Sequence, residues 1–267
     1  MSTTRLILRR TQIDYIRLAT YDYKQYLQLI AKLRLRHQGW RPFKWLQYQG
    51  QKADDGTFYG AGVQGSRTHA IINGSGQTAQ DVWIWFNNFP EATKQAFYCT
   101  RIDLQQTRVK PKGFDAQKSY KRLRGKKGLI LSDSGHTLYI GARTSDTFWR
   151  IYDKTETHLR VEIELKGKLA KRTFAALRND ETISGIWNTH LLRSKCPKML
   201  VDAYRDAGDI AELPEEDETE DLQRKLDWMK TLDALAYKLA NDHDIGEDAH
   251  ELFNRWAEYG QKVDKSS

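Results

Sequence analysis

Apolar and polar residues in the first half of the chain follow the two periods that distinguish strands from helices. Residues 11–21 roughly alternate polar and apolar side chains and predict a strand, whereas residues 25–36 carry apolar side chains at helical spacing. Residues 80–87 fit a strand or a short helix, and residues 90–97 resemble a helix start. Three further strands, separated by turns rich in Gly, Asp and Asn, are predicted at residues 43–49, 57–63 and 68–72.

The second half of the chain predicts more strands and then helices. Residues 168–178 and further segments up to residue 208 have helical spacing. Five strands are predicted at residues 97–104, 128–132, 137–142, 147–154 and 159–166. This order predicts an α+β fold with a mostly antiparallel central sheet, flanking helices and a helical C-terminal region.

Charge divides the chain into two regions. Residues 201–267 hold 8 Lys and Arg against 19 Asp and Glu, whereas residues 1–200 have a net charge of +19. We therefore expect a basic domain at residues 1–208, an acidic linker at 212–221 and a C-terminal helical hairpin at 222–260. The acidic region could also fold back on the basic face as an autoinhibitor, a hypothesis that the charge split alone motivates.

A domain with so much positive charge favours a polyanionic partner. Lys and Arg neutralise phosphates, and the chain's 8 Trp and 13 Tyr offer surfaces on which unpaired bases can stack. An inert basic surface, an RNA partner and an anionic membrane surface are the alternatives that charge leaves open. The composition thus favours nucleic acid.

Cysteine content and hydropathy predict a cytoplasmic protein. Cys99 and Cys196 are the only cysteines, too few for a disulfide framework or a cysteine zinc site. No stretch approaches the roughly 20 apolar residues that a membrane span needs, so no membrane partner is expected.

The candidate catalytic side chains lie on predicted strands that carry polar residues at every second position. If the hairpin formed by residues 147–154 and 159–166 aligns its polar faces, one sheet surface collects six side chains, and residues 97–104 add two more. These are Arg150, Tyr152, Lys154, Arg160, Glu162 and Glu164, joined by Arg101 and Asp103. A solvated strand face crossed by ion pairs, with a tyrosine that merely packs, is the alternative interpretation.

These residue types suit phosphodiester transfer. Clustered carboxylates can hold Mg²⁺ or Mn²⁺, and no His-x-His pair offers a different metal site. An unperturbed phenol has a pKa of about 10, so Tyr152 needs a metal or a neighbour such as Lys154 or Arg150 to act as a nucleophile.

Three motifs in this region are YIGARTSDTFWRIYDK at residues 139–154, LRVEIELK at 159–166 and TRIDL at 100–104. Together they resemble the signature of Rep_trans-type rolling-circle replication initiators, a family that includes plasmid and phage initiators and related conjugative-element relaxases. The resemblance implies metal-dependent, origin-specific nicking and joining of one DNA strand through a 5′-phosphotyrosyl intermediate, which leaves a 3′-OH to prime replication. Its implied partners are the double-strand origin, a single-stranded nick site, and host helicase and polymerase, with a homodimer to supply the second cleavage.

The resemblance also assigns roles to residues. Tyr152 is the expected nucleophile with Lys154 and Arg150 beside it, and the expected Mg²⁺ or Mn²⁺ ligands are Asp103, Glu162 and Glu164. Arg101 and Arg143 are expected to contact DNA. Members of the family often carry a further acidic residue shortly after the TRIDL motif, where this chain has Gln105-Gln106-Thr107.

The run at residues 108–127 holds nine Lys and Arg against the single acid Asp115 and contains Pro111, Gly113 and Gly125. It predicts a mobile loop that grips DNA beside the proposed site, with a solvated loop as the alternative. The expected DNA contacts in it are Lys118, Lys121, Arg122, Arg124, Lys126 and Lys127. For the whole chain, a conjugative relaxase, a non-catalytic DNA-binding regulator and an RNA-binding or tRNA-processing protein remain the alternative functions.

Overall fold

The computed structural model describes residues 11–36, 39–64, 67–132 and 135–214. The chain divides into two compact units, Met1–Glu215 and Glu216–Ser267. The predicted C-terminal hairpin at 222–260, most of the acidic linker and the autoinhibition hypothesis fall outside the described residues. The predicted domain boundaries therefore stay predictions.

Ten strands form a single sheet within the described ranges, in the order β2-β3-β4-β5-β1-β6-β10-β9-β8-β7. Every neighbouring pair is antiparallel. The strands are β1 Gln12–Thr20, β2 Arg41–Trp45, β3 Tyr48–Lys52, β4 Phe58–Gln64, β5 Arg67–Ser75, β6 Phe97–Val109, β7 Lys127–Ser132, β8 Gly135–Ile140, β9 Thr147–Asp153 and β10 His158–Lys166. The predicted α+β class with an antiparallel sheet is confirmed.

The helices pack against one face of this sheet. They are α1 Tyr23–Arg36, α2 Gln77–Asn87, α3 Glu91–Gln95, α4 Ala116–Arg122, α5 Gly167–Arg178, α6 Ile183–Leu192 and α7 Lys198–Tyr204. Helix side chains such as Leu29, Phe86 and Trp187 bury against strand residues such as Ile102 and Ile163 in one continuous core. The helices thus cover the apolar residues that occupy every second strand position, and the polar residues lie on the opposite face of the sheet.

Local structure departs from the sequence predictions in two places and decides a third that the sequence left open. Residues 43–49 are not one strand, because Leu46 adopts a positive φ of 53° and the chain turns back so that Trp45 pairs with Tyr48. Residues 80–87, predicted as a strand or a short helix, belong to helix α2. The basic run at 108–127 is not an open loop, because its middle forms α4 with Asp115 as the N-cap.

Within the described residues, no helix is long and apolar enough to cross a membrane. The polar face of the sheet is not uniformly polar, since Ala19, Tyr48, Phe58 and Ile71 form a small second apolar cluster on it. This cluster lies toward the β2–β5 side, which leaves β6, β10 and β9 to carry the polar constellation.

Candidate active site

The register of three adjacent strands brings the predicted polar residues onto one surface. On β10, Arg160 lies opposite Tyr152 of β9, and Glu162 lies opposite Arg150. Across the other edge of β10, Glu164 lies opposite Asp103 of β6. The hairpin therefore aligns its polar faces. The predicted site required this alignment, which the sequence pattern alone did not determine.

Two arginines bind the carboxylates of this surface. Arg101 contacts both oxygens of Asp103, at 2.8 Å from Nε and 2.6 Å from Nη2, and its Nη2 also lies 2.8 Å from Oε2 of Glu164. Arg150 Nη2 lies 3.2 Å from Asp103 Oδ2 and 2.9 Å from Glu162 Oε2. The result is an alternating chain of charges, from Glu164 through Arg101, Asp103 and Arg150 to Glu162.

The carboxylates are buried while the arginines reach solvent. Asp103, Glu162 and Glu164 are only 1–3% exposed. Burial raises the pKa of Asp103 above its ordinary value, against the opposing hydrogen bond and charge of Arg101. Buried carboxylates held by partly exposed guanidinium groups are expensive to desolvate, so loss of either arginine would leave two buried carboxylates with less compensating charge.

Tyr152 lies at the end of this chain of charges. Its half-buried hydroxyl donates to Glu162 Oε1 at 2.5 Å. Burial raises the pKa of Tyr152, and the bond to Glu162 raises it further, while Arg160 acts in the opposite direction. The phenol is therefore held protonated, with a carboxylate oxygen in direct contact with its proton.

Arg160 is a member of the site for which no role was predicted. Its Nη1 lies 3.4 Å from the Tyr152 hydroxyl, and its Nε donates to Thr107 at 2.9 Å. Its guanidinium also lies 5.9 Å from the centre of the Tyr152 ring. A fixed cation at the phenol oxygen is suited to stabilise a phenolate or an adjacent phosphate. The alternation of β10 had placed Arg160 on this face, but only the cross-strand register pairs it with Tyr152.

Gln105 is a second residue of this surface that was not among the predicted site residues. It lies opposite Glu162 on β6, and its side chain is buried. Its Oε1 has no hydrogen-bond partner among the described residues. Because Gln105 lies opposite Glu162, a neutral oxygen without a partner stands on the same sheet surface as the carboxylates.

The three carboxylates do not have the geometry of a metal site in this structure. The described residues contain no group of three or more His, Cys, Asp or Glu side chains that could hold a metal ion. Asp103 and Glu162 both direct an oxygen at Arg150 Nη2, so a guanidinium nitrogen takes the place between them that a cation would need. The orphaned Gln105 Oε1 and the three carboxylates have the hard-oxygen chemistry of an Mg²⁺ site, but their present geometry does not fit one.

Other predicted site residues lie outside this cluster. Lys154 falls in the exposed turn after β9. Arg143 is largely exposed, with Nη1 3.9 Å from Glu164 Oε2 and its guanidinium over the Phe148 ring. Arg101 is engaged by Asp103 and Glu164. The proposed DNA contacts of these residues stay predictions.

The basic run lies on the other side of the sheet. Helix α4 packs on β7 and β8, and its Tyr120 joins the helix-covered core together with Leu138. Lys127 anchors it by donating from Nζ to the carbonyls of Tyr120 and Leu123, both at 2.6 Å. The expectation of a loop beside the Tyr152 surface is therefore wrong for α4, whereas the DNA contacts predicted for the lysines and arginines of this run stay predictions. Gly128 lies opposite Tyr139, which is on the polar face. Because side chains alternate along a strand, the neighbouring Lys127 and Leu129 face the helices.

Comparison with known proteins leaves the activity open. No protein-family model matches the chain, and no curated protein matches it by sequence. Among solved structures, the chain is similar to a rolling circle replication initiator protein from Geobacillus stearothermophilus, with 19% identity, a TM-score of 0.49, and coverage of 69% of this chain and 84% of that chain. At this level of similarity no activity is assigned, and membership of the Rep_trans-type family stays a prediction from the three motifs.

Proposed function

We propose that the protein nicks and rejoins one strand of DNA with Tyr152 as the nucleophile, as a rolling-circle replication initiator would. The observation that carries the proposal is the 2.5 Å hydrogen bond from the Tyr152 hydroxyl to Glu162, at the edge of a surface lined by arginines. A phenol needs a base to attack phosphorus, and Glu162 is placed to take its proton.

In the proposed reaction the Tyr152 oxygen attacks the scissile phosphorus while its proton passes to Glu162 Oε1. The bond from phosphorus to the 3′ oxygen breaks, and that oxygen leaves as a 3′-OH after taking a proton from solvent. The strand stays joined to Tyr152 through its 5′ phosphate. Arg160, 3.4 Å from the attacking oxygen, would stabilise the negative charge that develops on the phosphate.

Rejoining reverses these steps. A 3′-OH loses its proton to solvent as its oxygen attacks the phosphotyrosyl phosphorus, the bond from phosphorus to the Tyr152 oxygen breaks, and the phenolate recovers its proton from Glu162. Because the phosphotyrosyl bond conserves the energy of the phosphodiester, no external energy source is required. The divalent metal expected from the family resemblance stays a separate proposal, and no step above depends on it.

A non-catalytic DNA-binding regulator is a second candidate, and one observation favours it. The raised pKa of Tyr152 and the pairing of every carboxylate of the cluster with arginine also suit a purely structural network. A conjugative relaxase would use the chemistry proposed above and differ only in the fate of the strand.

The test is covalent capture from a pool of random-sequence single-stranded 40-mers labelled at the 3′ end, with Mg²⁺, with Mn²⁺ and with EDTA. Denaturing gels should show labelled protein for the wild type and none for Tyr152→Phe. Tyr139→Phe is the matched control. Tyr139 lies on the neighbouring strand β8, on the same sheet face as Tyr152, and this substitution also removes one phenol hydroxyl. Equal labelling of both variants would mean that a residue other than Tyr152 attacks the DNA, whereas no labelling of the wild type in any buffer would favour the regulator.

A further inference from the structure

The fold joins two basic segments on the face of the sheet opposite Tyr152. One is the α4 region, with Lys118, Lys121, Arg122, Arg124 and Lys126 exposed. The other comprises the connection from α6 to α7 and the start of α7, and it exposes Arg193, Lys195 and Lys198. A Cβ placed on Gly125 would lie 3.9 Å from Lys195 Nζ, so the two segments are close neighbours although about 70 residues separate them.

A cavity of about 400 Å³ lies between these segments. Its lining combines cations from both segments with the apolar side chains of Phe114, Leu123 and Met199. The cations are Lys118, Arg122, Lys195 and Lys198. Asp115 is the acid in the lining, and it is occupied as the N-cap of α4, accepting from the Lys118 backbone at 2.9 Å.

We propose that this back-face groove, residues 113–124 with 194–199, binds a single-stranded DNA segment separate from the strand that meets Tyr152. Exposed cations at the rim match phosphates, and an apolar cavity of this size accepts an unstacked base. A duplex keeps its bases stacked and paired and could use only the rim, which is why the single strand is favoured.

The position of the groove explains why the segment is separate. Strand β7 is the edge of the sheet, two strand spacings from β9, or about 10 Å. A strand leaving the Tyr152 face can therefore pass around β7 and reach the groove, whereas the scissile phosphate itself cannot be in both places. The choice of DNA over RNA rests on the proposed function; the groove itself requires no cleavage.

The first test measures binding of a 15-nucleotide single strand to the full chain by fluorescence anisotropy at several salt concentrations. Lys118→Glu with Lys198→Glu should lower affinity about tenfold or more and reduce the salt slope by about 1.4, as expected for two lost single-strand phosphate contacts. The matched control is Lys24→Glu with Lys32→Glu, exposed positions on α1, which packs over β5, five strand steps from β8 on the same helix-covered face. That control should change affinity less than about twofold.

The second test locates the bases. Photocrosslinking with a bromodeoxyuridine-substituted strand should label peptides within residues 113–124 and 194–199, and Met199→Glu should reduce this labelling without removing a lysine. Equal affinity losses in the two double variants, crosslinks confined to the Tyr152 face, or tighter binding of RNA of the same sequence would each overturn the proposal. Tyr152→Phe protein should give the same crosslinks, so a failure of nicking cannot be mistaken for a failure of the groove.

Discussion

Arg150→Gln is the perturbation whose consequences the structure defines most closely. Arg150 Nη2 contacts the buried carboxylates of Asp103 and Glu162 at 3.2 and 2.9 Å. Its side chain is only 25% exposed, so solvent screens these contacts little. The variant keeps a polar amide of moderate length but removes the charge that both carboxylates share.

The cost is set by what remains around each carboxylate. Asp103 keeps its two contacts with Arg101, whereas Glu162 keeps the Tyr152 hydroxyl and Arg160, whose Nη1 is 3.8 Å away. Breaking a buried ion pair by removing one partner typically costs 3–5 kcal/mol. Because Asp103 stays compensated, we expect a loss at the lower end, about 3 kcal/mol in the free energy of unfolding.

The loss should depend on pH. Burial already holds the pKa of Asp103 above its ordinary value, and removing one guanidinium raises it further. A carboxyl whose folded pKa exceeds its unfolded pKa favours folding below the unfolded pKa and loses that contribution as pH rises through the folded pKa. The deficit of the variant should therefore be full at pH 8 and shrink toward pH 4.

Urea denaturation of wild type, Arg150→Gln, Glu162→Gln and the double variant between pH 4 and 8 measures this directly. Glu162→Gln should rescue part of the loss, giving a double variant less damaged than the sum of the single ones. Arg143→Gln is the charge-matched control, since its largely exposed side chain should cost less than about 1 kcal/mol. A deficit below 1 kcal/mol, or one that stays constant with pH, would refute the network as described.

Three further predictions concern other sites. Burial lowers the pKa of His190 to about 4, so the stability of the wild type should fall by about 3 kcal/mol as pH drops from 6.5 to 4, and urea titrations of His190→Gln should lack this slope. Arg150→Gln should bind Mn²⁺ more tightly than wild type or Arg143→Gln by electron paramagnetic resonance, because the freed carboxylates can accept a cation; unchanged affinity would argue against competition. Gly50→Ala should lower the melting temperature by several degrees, because its Cβ would lie 1.8 Å from the Tyr59 carbonyl oxygen; a variant as stable as wild type in a thermal melt would contradict the described β3–β4 pairing.

The composition of the site could be predicted from the sequence because strand alternation is a local property. Tyr152 and Glu162 each fall on the polar side of a short segment whose other side is apolar, and a short connection makes a hairpin the natural pairing. The contact between Tyr152 and Glu162 depends instead on which residues face each other, which the alternation of a single strand does not determine.

Two other features could not be predicted from the local sequence pattern. The β2–β3 turn uses Leu46 at a positive φ, which a leucine rarely adopts, so the sequence carried no turn signal there. The basic run was predicted to lie near Tyr152 because it connects two strands of the sheet, yet the packing of Tyr120 and the hydrogen bonds of Lys127 place its helix on the opposite face. Neither the packing of Tyr120 nor the hydrogen bonds of Lys127 can be predicted from the pattern of charges in this run.

The central claim is that Tyr152 becomes covalently joined to DNA, and tandem mass spectrometry of the captured complex tests it most directly. After digestion with trypsin and nuclease, the peptide containing Tyr152 should carry a nucleotide attached through its 5′ phosphate, and Glu162→Gln should reduce its yield strongly while Tyr139→Phe leaves it unchanged. A nucleotide on any other residue, or an unmodified Tyr152 peptide from protein that has cleaved DNA, would contradict the account.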